Sequence, residues 1–305
     1  MSRPITVATF PEPIIDTFIN ANFEKMNLQK KIAMGLIRAK LNSLAVINRK
    51  KAGEMAFTLF CTPLGRTKKS SVIFEPAEKL SFQNNSLAVN GFRFNPSGNK
   101  KVLILHGFSS GCQHFDHYIP PLIDKNYCVL AFDAPAHGRS EGQTVNAVEY
   151  SEMIQKVNAE FGPLDAYIAH SFGGLSVCLA LEIMAHSSDT KLILIAPATE
   201  TSTAISSAFK MLKLKNPHLR KALEDNISSI SGKPVEWYSI RRAMHQINAS
   251  VEWFHDEDDH TTPLSDALQV KSDAHPNVNF HISSGFGHSR IYRDQQVIQQ
   301  ICALL

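Results

Sequence analysis

The stretch Ala166-Tyr167-Ile168-Ala169-His170-Ser171-Phe172-Gly173-Gly174 decides how this chain is read. A short apolar run, Ala166 to Ala169, passes through Ser171 into a helical pattern that runs from Gly174 to Ala185. A buried strand that turns at once into a helix must bend sharply at the residue between them, and the bend thrusts that residue's side chain outward. Only small residues fit two places before and two places after such a bend. Gly173 meets the second requirement, and Ala169 meets the first with one methyl more than glycine. The spacing predicts a helix that begins near Gly173 with the Ser171 hydroxyl at its head.

Outward from this turn the same texture repeats. Val102 to Leu105, Cys128 to Phe132, Leu192 to Ile195, Val251 to Phe254 and Val278 to Ile282 are short, nearly continuous apolar runs. Such runs suit parallel strands buried on both faces. Helical patterns lie between most of them, at Phe115 to Asp124, Ala147 to Phe161 and Leu264 to Ala274. The alternation predicts an α/β fold with a mostly parallel central sheet and helices on both faces. Phe82 to Phe94 reads as a hairpin, with Asn90-Gly91 as its turn. One connection is too long for a single crossover helix. It carries helical patterns at Ala204 to Leu214, His218 to Ile227 and Val235 to Ile247, and residues 199–248 are expected to form a lid. Insertions at the carboxyl ends of such strands lie over the ligand crevice.

Residues 1–79 read as a helical extension packed on an 80–305 domain. From Leu28 to Lys69 there are ten basic residues (Lys30, Lys31, Arg38, Lys40, Arg49, Lys50, Lys51, Arg66, Lys68, Lys69) and one acid, Glu54. Ala33, Ile37, Leu41 and Leu44 recur at helical spacing, as do Ala52, Met55, Ala56, Leu59 and Phe60. Packing of these faces on a core, with the basic face solvated, is the favoured reading. A surface for an anionic partner or a membrane is the second.

Composition sets the outer bounds. The chain has 305 residues, 44% hydrophobic and 19% charged, which excludes a disordered or fibrous protein. A net charge of +3 gives no global attraction to nucleic acid. The five cysteines, Cys61, Cys112, Cys128, Cys178 and Cys302, form no C-x-x-C pair. That disfavours a disulfide framework and suits a reducing compartment. The opening MSRPITVATFPEP has no long apolar run, so a cytoplasmic location is expected.

A serine hydroxyl needs a base, and the base needs an orienting carboxylate. Both types follow downstream at strand ends. Val251 to Phe254 runs into His255-Asp256-Glu257-Asp258-Asp259-His260-Thr261-Thr262-Pro263, and Val278 to Ile282 runs into Ser283-Ser284-Gly285-Phe286-Gly287-His288. The glycines before His288 let that loop swing the imidazole back over the serine. A metal site built from His255, His260 and the neighbouring acids fits no standard zinc spacing, and none is expected. Adjacent acids on one loop are ordinarily solvated.

With these partners in order, residues 80–305 resemble the serine hydrolases of the α/β-hydrolase fold superfamily. His106-Gly107-Phe108 is similar to the family's H-G-aromatic turn. Asp133-Ala134-Pro135-Ala136-His137-Gly138-Arg139-Ser140 is similar to its D-x-x-G-x-G-x-S loop, with alanine for the first glycine. The resemblance implies Ser171 as nucleophile and His288 as base. It also implies an aspartate four before a proline, which selects Asp259 over Asp258. The oxyanion hole is expected at the main-chain N–H groups of Phe108 and Phe172. The implied activity is cleavage of an ester or related acyl bond without a cofactor. Acyl transfer, thioester hydrolysis, carbon–carbon hydrolysis and non-catalytic ligand binding are the other outcomes on this fold. Phe209, Met211, Leu212, Trp237 and Tyr238 are candidate contacts for an apolar group of a small ester-like substrate. Equally, they pack the lid onto the sheet.

Overall fold

A computed structural model describes residues 28–67 and 70–305. The opening MSRPITVATFPEP and the pair Lys68-Lys69 lie outside the described residues. In chain order the elements are α1 (Leu28–Ile47), α2 (Arg49–Cys61), β1 (Glu78–Asn84), β2 (Leu87–Phe94), β3 (Lys100–Leu105), α3 (Ile119–Asp124), β4 (Tyr127–Phe132), α4 (Ala147–Phe161), β5 (Ala166–His170) and α5 (Phe172–Leu181). They continue with β6 (Lys191–Ile195), α6 (Thr201–Met211), α7 (Pro217–Ser231), α8 (Ile240–Ala243), β7 (Ser250–Asp256), α9 (Leu264–Ser272), β8 (Val278–Ser283), α10 (Gly287–Arg290) and α11 (Gln295–Leu304). Short 3-10 turns at Cys112–Tyr118, Val235–Trp237 and Met244–Gln246 complete the connections of interest. Among the described residues, no helix is long and apolar enough to cross a membrane.

One eight-stranded sheet runs in the order β1-β2-β4-β3-β5-β6-β7-β8. The first two strands pair antiparallel, β2 meets β4 antiparallel, and the rest are parallel. The inner strands are apolar throughout because both faces are covered. Along β3, Val102 and Ile104 enter one core cluster while Leu103 and Leu105 enter the other. In β6, Ile193 and Ile195 take the first side and Leu192 and Leu194 the second. One layer contains Tyr150, Met153 and Ile154 of α4; the opposite layer contains Phe115, Tyr118, Ile298 and Ile301. The outer strand β8 departs from the expected burial on both faces, being only half covered along its length.

Three local expectations are corrected. The hairpin turns at Asn85-Ser86, which both carry positive φ (47° and 68°), and not at Asn90-Gly91, which lies inside β2. Gly91 is needed there for a packing reason, since a Cβ would come within 2.3 Å of the Phe132 ring. The pattern from Phe115 to Asp124 is split between a 3-10 segment and α3, and Pro120 and Pro121 open the latter. The pattern from Val235 to Ile247 is not one helix but two 3-10 turns flanking the single turn α8.

The long connection between β6 and β7 contains α6, α7 and α8. The basic segment forms a helical hairpin, α1 and α2, hinged at Asn48, whose side chain caps α2 by accepting the Lys51 N–H at 3.1 Å. Its main partner is α7 of the insertion. Gly53 of α2 lies so close to α7 that a Cβ would meet the Ala222 carbonyl oxygen at 2.2 Å. Leu41, Ala45, Ala52 and Ala56 are buried in the same core cluster as Leu219, Leu223 and Ile227. Beyond α2 the chain is tied down over the loops that follow β3 and β4. The Cys61 carbonyl accepts the Val145 N–H, the Leu64 N–H reaches the Ser109 hydroxyl, and the Arg66 guanidinium reaches the carbonyls of Gly138, Ser140 and Gly142.

Candidate active site

The sheet reverses its winding between β3 and β5, which are neighbours although the chain places β4 between them. Ligand crevices open at such a switch, beyond the carboxyl ends of the strands. The turns after β3, β5, β7 and β8 all emerge at that end.

After β5 the chain bends at Ser171, and α5 begins at Phe172, one residue earlier than the spacing predicts. Ser171 has φ 54° and ψ −119°, a conformation that costs a non-glycine residue on the order of 1–3 kcal/mol. The surroundings over-determine it. Its N–H donates to the Ile195 carbonyl at 3.1 Å, and its carbonyl accepts from Gly174 at 2.9 Å and Ala198 at 3.0 Å. The bend also needs its glycines. A Cβ on Gly173 would come within 2.8 Å of the His106 carbonyl oxygen, and one on Gly107 within 3.0 Å of the Ser171 Cβ. Ala169 fits the place before the serine and is fully buried.

His288 and Asp259 converge on this serine. His288 Nε2 lies 3.0 Å from Ser171 Oγ, and its Nδ1 lies 2.8 Å from Asp259 Oδ2. The carboxylate thus places the ring proton on Nδ1 and leaves the Nε2 lone pair for the serine hydroxyl. Asp259 also receives the N–H groups of Thr261 and Thr262 on Oδ1, and the Thr262 hydroxyl sits 2.8 Å from Oδ2. Burial pushes the Asp259 carboxyl up, but the His288 contact and the Thr262 donors outweigh it and hold it below the ordinary carboxylate range. It is therefore charged where the imidazole needs it.

Asp256, Asp258 and Asp259 divide their labour: Glu257 and Asp258 are exposed, as adjacent loop acids are expected to be, whereas Asp256 is not a solvated neighbour. Asp256 is fully buried and accepts four hydrogen bonds, from the N–H groups of Asp258, Phe286 and Gly287 and the hydroxyl of Ser283. Burial raises its carboxyl, yet the Gly287, Ser283, Asp258 and Phe286 donors together bring it below the usual value. Asp258 Oδ2 accepts the Gly285 N–H at 2.9 Å. Both acids thereby pin the loop that carries His288. That loop uses Gly285 (φ 89°) and Gly287 (φ 60°) to turn back. The role of Asp256 depends on register, since it pairs with Ser283 across β7 and β8. No single-strand pattern reveals that pairing.

Four other histidines are staples. His106 donates to the Gly107 carbonyl and accepts the Ala134 N–H; His137 donates to the Pro135 carbonyl and accepts the Ser109 N–H. His170 Nε2 donates to the His288 carbonyl at 3.0 Å. His255 donates to the Thr262 carbonyl and accepts the Trp253 indole N–H. Burial holds each of the four below the ordinary imidazole value, His137 at about 3. Asp133 anchors the loop after β4 by accepting from Cys112 and Arg139. Ala136, where the family pattern has glycine, sits at φ 65°.

Phe108 and Phe172 are brought together beside Ser171, their rings edge to face at 5.5 Å. Phe172 is the first residue of α5, so its N–H has no carbonyl partner within that helix. Of the apolar candidates in the insertion, Phe209 and Tyr238 are buried in the larger core cluster, and Leu212 and Trp237 pack against it. The Arg242 guanidinium covers the Trp237 ring at 3.8 Å. Met211 lies on the surface.

Residues 96–242 match the sequence profile of the family described as serine aminopeptidase, S33. The rat monoglyceride lipase is 30% identical over 131 residues, 39% of this chain and 43% of that protein. A Mycoplasma pneumoniae protein named putative esterase/lipase 2 is 25% identical over 121 residues, 38% of this chain and 44% of its own. The chain thus spans less than half the length of these curated relatives. The Pyrococcus furiosus esterase Pf2001 superposes with a TM-score of 0.60 at 15% identity, over 80% of this chain and 95% of the esterase.

Proposed function

We propose that this chain, which has the α/β-hydrolase fold, is a serine hydrolase that cleaves a carboxylic ester through an acyl-enzyme. The observation that carries this reading is the relay from Asp259 Oδ2 through the His288 ring to Ser171 Oγ, with contacts of 2.8 Å and 3.0 Å at a strained strand-to-helix bend. In this reading His288 Nε2 takes the Ser171 proton as Oγ attacks the ester carbonyl. Asp259 holds the ring tautomer and stabilises the imidazolium that forms. The N–H groups of Phe172, at the positive end of α5, and Phe108 receive the oxyanion. His288 then protonates the leaving alcohol, and water activated by the same imidazole releases the acid.

The relatives, a monoglyceride lipase and a putative esterase/lipase, support an ester substrate with an apolar acyl group. The edge-to-face rings of Phe108 and Phe172 offer such a group an aromatic wall beside Oγ. Residues 199–248 serve as the lid in this reading, since the insertion follows β6 on the side where the crevice opens.

Labelling with a fluorophosphonate probe tests the reading. Wild-type protein is expected to label at Ser171, and Ser171→Ala to lose both labelling and hydrolysis of activated esters by on the order of 10⁴ to 10⁶ in kcat with the same thermal melt. Retention of most activity in purified Ser171→Ala would overturn it.

A further inference from the structure

Helix α1 carries two apolar faces. The inner one holds Leu41 and Ala45, exposed by 0% and 2%, and packs into the core cluster shared with α7. The outer one holds Ile32, Leu36, Val46 and Ile47, exposed by 54%, 67%, 81% and 81%. At 3.6 residues per turn, Ile32, Leu36, Ala39, Ser43 and Val46 fall on one stripe opposite Leu41, with Ile47 on its flank. The stripe is about 22 Å long at 1.5 Å per residue. A helix whose inner face already satisfies packing gains nothing from large apolar side chains on its solvent face. Four in one stripe mark an interaction surface.

Charge identifies the occupant. From Leu28 to Gly53 the sequence has seven basic residues (Lys30, Lys31, Arg38, Lys40, Arg49, Lys50, Lys51) and no acid. Lys40 is exposed beside the stripe, and Arg49, Lys50 and Lys51 are exposed at its carboxyl end, directly after Val46 and Ile47. An apolar stripe flanked by a large excess of cations, with Glu54 the one acid close behind them, complements a surface with an apolar interior and anionic headgroups. We propose that the outer face of α1 docks this protein on an anionic lipid bilayer, lying in the plane of the interface. The hairpin rests on α7 of the insertion through Gly53 and Ala222, so docking brings the bilayer to the insertion that the proposed function reads as the lid. The surface is independent of the Ser171 chemistry, and the two fail separately.

Co-sedimentation of the full chain with vesicles tests it. The protein is expected to pellet with phosphatidylglycerol-rich vesicles at low salt, to be released as salt rises, and to stay in solution with pure phosphatidylcholine. Combined Arg49→Gln, Lys50→Gln and Lys51→Gln should weaken partitioning on the order of 100-fold at low salt. Combined Leu36→Gln, Val46→Gln and Ile47→Gln should abolish it. Both variants should keep the wild-type thermal melt and fluorophosphonate labelling, because every substituted side chain is exposed. Failure of the full chain to pellet would overturn the proposal. Binding indifferent to lipid charge, or unchanged in either variant, would overturn it as well. So would a dimer in solution that the apolar triple variant dissociates, which would assign the stripe to a second copy of the chain.

Discussion

Asp256 and Asp259 sit at either end of one short loop and hold the same histidine by different routes. Asp259 bonds the imidazole itself, whereas Asp256 bonds the backbone that presents it. The two substitutions should therefore differ in kind. Asp259→Asn can stabilise the wrong ring tautomer, and kcat should fall by about 10⁴. Asp256→Asn keeps the volume but turns part of a four-fold acceptor into a donor, so the loop shifts. A misplacement of an ångström or less should cost about 10²-fold. Asp258→Asn keeps a carbonyl oxygen for its single exposed-loop contact to Gly285 and should cost least. Steady-state hydrolysis of an activated ester by the three variants ranks them. A larger loss at Asp258 than at Asp259 would reverse the assignment made here. An Asp256 variant with wild-type kcat would remove its positioning role.

The elements read most plainly from the sequence are those whose pattern is set by their own burial. Strands β3 to β7 stand out as apolar runs because both faces of the sheet are covered, and α4 begins and ends where its periodicity does. The serine and one of two neighbouring aspartates were legible because they follow such runs, at β5 and β7, and the histidine because it follows the weaker pattern of the half-covered β8. What stayed hidden depends on contacts between distant segments. Asn90-Gly91 looks like a turn, yet Gly91 is spent on room for the Phe132 ring. Asp256 looks like one of four loop acids until the β7–β8 register sets it against Ser283. The seat of the basic hairpin on α7 leaves no local mark at all beyond a glycine, Gly53, in a helix that would be more stable without it. That seat gives a prediction. Gly53→Val puts two methyls where one Cβ already meets the Ala222 carbonyl, and overpacking of this sort costs about 1–3 kcal/mol. The hairpin should loosen from α7, seen as faster proteolysis between α1 and α2 and a lower thermal midpoint. Unchanged protection would show that α7 is not what holds α2.

Acid sensitivity belongs to the molecule as a whole, because its neutral staples are spread over the loops after β3 and β4 and the carboxyl ends of β5 and β7. His106, His137, His170 and His255 are each held below the imidazole value of 6.5 by burial, with His137 at about 3. Each spends one nitrogen as a donor to a carbonyl, and His106, His137 and His255 use the other to accept an N–H, an arrangement only the neutral ring can make. The unfolded chain takes up these protons below about pH 6.5 while the native state does not, so the unfolded state binds more protons and stability rises with pH. Read downward, stability is complete above that value and is lost as pH falls from 6.5 toward the native values, at up to about 1.4 kcal/mol per pH unit for each histidine. The depressed carboxyls of Asp256 and Asp259 add their loss only at and below their ordinary value of 3.8. Two limbs are therefore expected, with the histidine limb first. Urea midpoints should already fall between about pH 7 and about pH 5, before the carboxylates titrate. His137→Gln, which retains a carbonyl oxygen able to accept the Ser109 N–H, should make that limb shallower by one histidine's share. A midpoint that stays flat down to about pH 5 would mean that the buried rings charge without penalty, and that the four loops around Ser171 are held by something other than these neutral histidines.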